Sequence, residues 1–116
     1  MEKRNVIREK SFEFALETID LYKKMLAEKE YVISKQLLRS ATSIGANVEE
    51  AVSAASRKDF AYKFVIAQKE ARETCYWLKL LQKSSLVSGD VAPNLNKAEE
   101  LVRILTAIVK TTQSSN

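Results

Sequence analysis

Basic and aromatic side chains recur together in the third quarter of the sequence, at a spacing that a helix would place on one face. The cations are Lys58, Lys69, Arg72, Lys79 and Lys83, with Tyr62 and Tyr76 between them. Cationic side chains contact phosphates and exposed aromatic rings stack on bases, so the spacing predicts a nucleic-acid-binding surface. Its predicted contact residues are Lys58, Lys69, Arg72, Tyr76, Lys79 and Lys83. The alternative interpretation is a solvated face whose tyrosines serve packing or a subunit interface.

The charge distribution allows this interpretation. The sequence has 19 Lys and Arg against 15 Asp and Glu, a formal net charge of +4. Residues 57–83 carry seven bases and three acids, whereas residues 31–56 and 84–116 are balanced. A mild positive excess permits RNA or DNA as a partner without requiring either.

A second group of polar side chains is spaced along one face of the preceding segment, in steps of four, four and three residues. These side chains are Arg39, Ser43, Asn47 and Glu50. Glu70 and Glu73, one helical turn apart, are placed to supply carboxylates opposite Arg39 and Asn47. The pattern indicates a polar network that fixes helix register or a subunit contact. A catalytic or ligand site is disfavoured because no nucleophile–base pair accompanies it.

The residues that are missing exclude several kinds of chemistry. The sequence has no histidine, which removes His-based triads and most zinc or di-iron sites. The carboxylates of Glu49, Glu50, Glu70 and Glu73 are therefore not expected to hold a metal. The single cysteine, Cys75, is expected to be a small packed residue rather than a reactive thiol. We expect no enzyme activity and no cofactor.

Composition and patterning predict a single all-α domain over residues 1–116. The sequence has only 2 Gly and 1 Pro, too few for the turns of an all-β fold. Apolar residues recur every three or four positions in four segments, which predicts helices over residues 12–28, 33–54, 57–83 and 91–111. Short links between them favour an up-down-up-down antiparallel four-helix bundle.

Each predicted helix has a proposed buried stripe. In the first it consists of Phe12, Leu16, Ile19, Tyr22 and Leu26, with Ser11 as a candidate cap. The second and third helices each have a heptad seam. The second seam is made mostly of small residues, Ser34, Leu37, Ala41, Ile44, Val48, Ala51 and Ala55, and Gly45 beside it permits close helix approach. The third seam consists of Phe60, Phe64, Ala67, Ala71, Thr74, Leu78 and Leu81. Ser56 is the predicted N-cap of the third helix and Asp90 of the fourth. Apolar residues off the stripes favour self-association: Phe14, Leu21, Leu38, Val65 and Ile104.

The chain ends are predicted to lie outside the bundle. Residues 1–10 are expected to form a basic arm, and residues 112–116 a frayed polar tail. The arm contains Lys3, Arg4, Arg8 and Lys10. No stretch approaches the ~20 apolar residues of a membrane helix, and no apolar run follows the N-terminal charges, so a cytoplasmic protein without a membrane partner is expected.

One block is more specific than patterning. Residues 36–51 read QLLRSATSIGANVEEA. They resemble the second-helix motif of the bacterial 23S rRNA intervening-sequence proteins, Q-L-x-R-S/A-x-x-S-I-x-A-N-x-x-E-G/A. The resemblance continues through residues 5–11, 56–60 and 67–74 and spans roughly the whole chain. Ala51 stands where many members have Gly.

The resemblance implies a four-helix bundle that assembles into a homo-oligomer, most often a pentameric ring. A related branch, the accessory variability protein of diversity-generating retroelements, is a basic pentamer that binds nucleic acid and reverse transcriptase. For most members no activity is established. We therefore expect a non-enzymatic homo-oligomeric scaffold that binds RNA or DNA through a basic face of the third helix. The alternative is a structural or protein-partner adaptor with no nucleic-acid role.

Overall fold

Four helices make up the protein, and the computed structural model describes the backbone of residues 2–114 and the side chains of residues 5–114. The helices are α1 (Glu2–Ala27), α2 (Ile33–Val52), α3 (Arg57–Ser84) and α4 (Ala92–Ser114). They form a rod of 47 × 21 × 21 Å around one apolar core. The expected all-α four-helix bundle is confirmed. None of the four helices is long and apolar enough to cross a membrane.

Neighbouring helices run in opposite directions, as the side-chain pairs between them show. Arg8 near the start of α1 pairs with Glu49 near the end of α2. The same reversal joins α2 to α3 and α4 to α1, through Lys63–Glu50, Arg39–Glu70, Lys10–Glu100 and Lys97–Glu17. Within the described residues no Cα atom of α1 lies within 8 Å of a Cα atom of α3, so the two helices occupy diagonal positions.

The seams of α2 and α3 are buried at the predicted positions except Ala55, which is exposed beyond the end of α2, and Phe60, which is half-buried. In α2 the fully buried side chains include Leu37, Ala41, Ile44 and Val48, and α3 buries Phe64, Ala67, Ala71 and Leu78. Two buried hydroxyls bridge this interface, with Thr74 Oγ1 2.9 Å from Ser40 Oγ. Small side chains and satisfied hydroxyls let the two backbones approach closely without an unpaired polar group.

The first helix differs most from the prediction, because its buried face is a different one. Its core positions are Ile7, Ser11, Phe14, Thr18, Leu21 and Met25. Phe12 and Leu16 of the predicted stripe are 65% and 51% exposed, whereas Phe14 is 2% exposed. Thr18 donates to the carbonyl of Phe14 at 2.8 Å, so its hydroxyl is satisfied by its own helix and its methyl packs in the core.

Ser11 is not a helix cap, and residues 2–10 are not an arm. The Ser11 hydroxyl lies inside α1, 3.3 Å from the carbonyl of Arg8, and faces Gly45 of α2. Ile7, one turn earlier, has no exposed surface. Arg8 and Lys10 of the predicted arm are ion-paired to Glu49 and Glu100. The side chains of the remaining arm cations, Lys3 and Arg4, lie outside the described residues.

Other boundaries and apolar positions need smaller corrections. Residues 112–114 continue α4 instead of fraying, and residues 115–116 of the predicted tail lie outside the described part of the chain. Leu21, Val65 and Ile104, predicted to be off-stripe surface, pack against the core. The exposed apolar surface is instead contributed mainly by other residues, among them Phe12, Leu16, Tyr62, Tyr76 and Leu86.

Local hydrogen bonds start the helices and tie down one loop. The Ser56 hydroxyl accepts the N–H of Asp59 at 3.1 Å, as predicted, and the Asp90 carboxylate accepts that of Ala92 at 2.9 Å. Glu30 caps α2, because its carboxylate accepts three successive backbone N–H groups. Burial raises the pKa of Glu30, but these hydrogen bonds lower it by more, so the pKa lies below its ordinary value. Lys24 in the last turn of α1 and Glu28 just after the helix bind Ser88 in the loop before α4.

Two adjacent residues test whether α1 starts near the first residues of the chain. Ile7→Ala should lower the free energy of unfolding by about 3 kcal/mol, because a fully buried side chain leaves a cavity. Val6→Ala, at a position 39% exposed, should cost less than about 1 kcal/mol. Urea denaturation followed by circular dichroism, at one fixed protein concentration, measures both. Equal small losses would mean that this stretch is a solvated arm.

Candidate nucleic-acid interface

The outward side of α3 carries the cations that the sequence pattern singled out. Lys58, Lys69, Arg72, Lys79 and Lys83 are all exposed, and none has an ion-pair partner within residues 5–114. Tyr62 and Tyr76 lie on the same side and are 61% and 55% exposed. We call these seven residues the basic face. The core positions of α3 dictate this orientation, because the buried side chains occupy the opposite side of the helix.

Several cations elsewhere on the bundle are neutralised by ion pairs. Arg8, Lys10 and Lys97 each pair with a glutamate of a neighbouring helix, at 2.9, 3.2 and 2.6 Å. Lys63, on the flank of α3 toward α2, pairs with Glu50 at 2.7 Å. Among residues 5–84 the lysines without an ion pair therefore form two groups, those of the basic face and Lys23, Lys24, Lys29 and Lys35 around the α1–α2 turn, where Glu28 and Glu30 are close in sequence.

Helix α4 extends this surface with two cations that the sequence pattern missed. Arg103 lines a groove of about 390 Å³ between α3 and α4. The groove is also lined by Arg72, Cys75, Lys79, Glu99 and Val102. Lys110, seven residues further along, shares the helical face of Arg103. Neither cation has an ion-pair partner within the described residues, and Glu99 is the one acid among the residues that line the groove. Residues 84–116 contain equal numbers of bases and acids, which hid these two cations in the sequence. One of those acids, Glu100, binds Lys10 of α1 and therefore does not offset them.

Part of the predicted polar network forms, on the α2–α3 flank of the basic face. The Arg39 guanidinium bonds Glu70 at 3.3 Å and also bonds Glu73. Trp77 donates its indole N–H to Glu73 at 2.9 Å, a partner that the sequence pattern did not identify. Burial raises the pKa of Glu73, but the bonds from Trp77 and Arg39 outweigh it, so the pKa is lowered. The cluster is a satisfied ion pair, with no group left as a general base.

The remaining members of the predicted stripe are not joined to this cluster. Ser43 donates to the carbonyl of Arg39 at 2.7 Å, and Asn47 donates to the carbonyl of Ser43 at 2.8 Å. Glu50 binds Lys63 instead. The expectation that α3 presents a carboxylate to Asn47 is therefore wrong, because both Glu70 and Glu73 bind Arg39. The short side chains of Ser43 and Asn47 bond the backbone of their own helix instead.

Other parts of the described chain offer little for catalysis. Within the described residues no group of three His, Cys, Asp or Glu side chains is arranged to hold a metal ion. Cys75 is buried, and burial raises the pKa of its thiol, which keeps it protonated and unreactive. A cavity of about 660 Å³ at the α2–α3 turn is lined mainly by small and apolar groups, among them Ala51, Ala54 and Phe60. It brings together no acid–base pair.

Comparisons with known proteins agree with the fold. The family model described as "23S rRNA-intervening sequence protein" matches residues 3–107. A similar crystal structure is described as a protein with unknown function from the S23 ribosomal protein family of Bacteroides thetaiotaomicron. It is 46% identical with a TM-score of 0.88, over 93% of this chain and 98% of that one. No curated protein matches this chain.

The Arg39–Glu73–Trp77 cluster predicts a pH-dependent stability. Glu73→Gln should lower the free energy of unfolding by about 1 kcal/mol at neutral pH, because it removes the charge that Arg39 binds. The folded-state pKa of Glu73 lies below its ordinary 4.5, so this contribution is present above 4.5 and is lost as the pH falls through the folded value. The difference between wild type and variant should therefore shrink in acid.

Denaturant titrations at neutral pH and at about pH 3 measure that difference. Glu13→Gln, an exposed glutamate with no ion-pair partner within the described residues, is the matched control and should match wild type at both. A loss that stays constant down to the lower pH would contradict the assigned role of Glu73.

Proposed function

This chain belongs to the 23S rRNA-intervening sequence protein family, and on that premise we propose that it is a non-enzymatic, homo-oligomeric scaffold that binds nucleic acid through the basic face. The contact residues are Lys58, Lys69, Arg72, Tyr76, Lys79 and Lys83 of α3, joined by Arg103 and Lys110 of α4. The supporting observation is the segregation of charge. Within the described residues, these seven unpaired cations of α3 and α4 lie on one side of the bundle. The other described lysines without an ion pair, Lys23, Lys24, Lys29 and Lys35, lie around the α1–α2 turn, close in sequence to Asp20, Glu28 and Glu30.

Segregated cations favour a polyanionic partner for a physical reason. Like charges held on one rigid helix repel each other, and Glu99 is the one acid that lines the groove beside them. A nucleic acid strand supplies phosphates along its length and releases its condensed counterions on binding. RNA is the natural first candidate, because the family name refers to sequences that interrupt 23S rRNA.

Self-association is the second part of the proposal. Phe12 and Leu16 are exposed apolar side chains one turn apart on α1, diagonal to α3. Burying them against another copy removes apolar surface from water and leaves the basic face free. Each added copy repeats the basic face, so weak contacts gain strength through avidity. The pentameric ring expected from the family resemblance fits this arrangement.

The absence of enzyme activity is also a proposal, supported by the state of the polar groups. Glu70 and Glu73 are both bound to Arg39, and the Cys75 thiol is buried. A protein-partner adaptor is the alternative function. It is favoured by Leu80, which adds 36%-exposed apolar surface beside Tyr76. Protein binding at an apolar patch would respond weakly to salt, whereas phosphate binding falls steeply with it.

Charge reversal tests the nucleic-acid proposal. A variant with Lys69, Arg72, Lys79 and Lys83 all changed to Glu should lose at least about a hundredfold in RNA affinity at low salt. Losing four phosphate contacts should also flatten the slope of log affinity against log salt by about 3. Fluorescence anisotropy over a salt series measures both quantities.

Exposed lysines on other faces provide the control for this reversal. Lys23→Glu with Lys35→Glu changes two exposed lysines of α1 and α2 that have no ion-pair partner within the described residues. This control should retain most of the affinity, because only diffuse net charge is lost. Equal losses in the two variants would contradict a localised site, and an affinity unchanged by the fourfold reversal would rule out the basic face.

The α1 surface is tested by the assembly mass. Phe12→Asp combined with Leu16→Asp should convert the oligomer to the 13.1 kDa monomer, because charge at a buried apolar contact is costly. Leu86→Asp, at a loop position 52% exposed, is the control and should leave the mass unchanged. Sedimentation velocity gives the mass, and circular dichroism checks that the helices persist. An unchanged mass in the double variant would place the contact elsewhere.

A further inference from the structure

Two tyrosines interrupt the row of cations on the basic face. Tyr62 and Tyr76 are more than half exposed, and neither hydroxyl makes a hydrogen bond within the described residues. A ring that stays in water gives the fold little of the stabilisation that burial would bring. Packing in the core therefore does not explain their presence among the lysines.

The tyrosines alternate with cations at a fixed interval. Tyr62, Lys69, Tyr76 and Lys83 follow one another every seven residues, so a straight helix places them in one line about 10 Å apart. Arg72 and Lys79 lie beside this line, on the α4 side where they line the groove with Arg103. Flat rings and positive charges thus alternate along about 30 Å of α3.

The Tyr76 ring is held in place by the neighbouring cluster. It packs edge-to-face with Trp77, with ring centroids 5.1 Å apart and planes at 66°. Trp77 is fixed in turn by its bond to Glu73, which binds Arg39. A ring whose orientation is already set loses less entropy when a ligand stacks on it. The cluster that flanks the basic face therefore positions one of its aromatic platforms.

Stacking on these rings requires unpaired bases. In a duplex each base is covered by its neighbours in the stack, so an exposed tyrosine meets only sugars, phosphates and groove edges. Exposed tyrosines among the cations therefore favour a single strand over a duplex.

We propose that the basic face binds single-stranded nucleic acid, with bases stacked on Tyr62 and Tyr76 and phosphates contacted by the cations between and beside them. This inference rests on the proposed function, since it names the form of nucleic acid that the same face takes. Stacking on aromatic rings tolerates any base, so we expect little sequence preference.

Paired and unpaired forms of one RNA test the proposal. The probe is an unstructured RNA of about 16 nucleotides, used alone and annealed to its complement. Fluorescence anisotropy at one low salt concentration should show that the full-length protein binds the single strand at least about tenfold more tightly than the duplex.

Tyr62→Ala and Tyr76→Ala should each weaken single-strand binding about tenfold and leave duplex binding unchanged. Tyr62→Phe and Tyr76→Phe should stay within about twofold of wild type, because stacking needs the ring and not the hydroxyl.

Tyr31→Ala is the matched control, because Tyr31 is a 59%-exposed tyrosine outside α3. It should not change either affinity. The single-strand inference is overturned if the two RNA forms bind equally well. It is also overturned if the Tyr62→Ala and Tyr76→Ala variants bind both forms as wild type does, or lose affinity for both equally. If the fourfold charge reversal still abolished binding in those cases, the proposed function would stand. No salt-dependent binding of either form would overturn both.

Discussion

The close packing of α2 against α3 is the constraint on which the rest of the molecule depends. Small side chains such as Ala41, Ala67 and Ala71 line this seam, and the Ser40–Thr74 contact is satisfied within it. The seam fixes the rotation of α3 about its own axis, so a single heptad register decides which of its side chains meet water.

That register turns the lysines and tyrosines outward and brings Glu70 and Glu73 to Arg39. Two of the three acids of α3 are thereby withdrawn from its outer side, and the third, Asp59, lies in the first turn beside its cap. The polar network and the basic face are therefore two consequences of one packing arrangement.

The diagonal placement of α1 and α3 separates two surfaces that would otherwise compete. The exposed apolar pair on α1 lies on the opposite side of a rod only 21 Å across from the unpaired cations of α3 and α4. In the proposed scaffold, assembly therefore does not cover the nucleic-acid surface. The ion pairs Arg8–Glu49, Lys10–Glu100 and Lys97–Glu17 lie on the α1 side and neutralise cations there, and the unpaired lysines among the described residues of α1, Lys23 and Lys24, lie near its C-terminal end.

The sequence predicts most of this fold and part of the candidate interface. The heptad seams of α2 and α3 were recognisable because nearly all of their positions carry unambiguous small or apolar residues, and the Ser56 cap followed from its spacing to Asp59. The buried face of α1 was missed because Ser11 and Thr18 occupy core positions while Phe12 and Leu16 do not. A hydroxyl that bonds its own helix can be buried at low cost, and hydropathy alone does not reveal this.

Arg103 and Lys110 were missed for a different reason, since a balanced segment charge hides cations whose nearby acids bind elsewhere. Asn47 shows the same limit in the polar network, because spacing indicates a shared face but not which partner a short side chain reaches.

Lysine reactivity in the presence and absence of RNA tests the central claim most directly, because the chain carries lysines on every side of the bundle. The assembled protein is treated with an acetylating reagent with and without a single-stranded RNA, and each lysine is quantified by mass spectrometry. If the unpaired cations of α3 and α4 form the nucleic-acid site, RNA protects Lys58, Lys69, Lys79, Lys83 and Lys110 and leaves Lys23, Lys29 and Lys35 as reactive as before. Uniform protection of all lysines, or protection confined to those of α1 and α2, would contradict it.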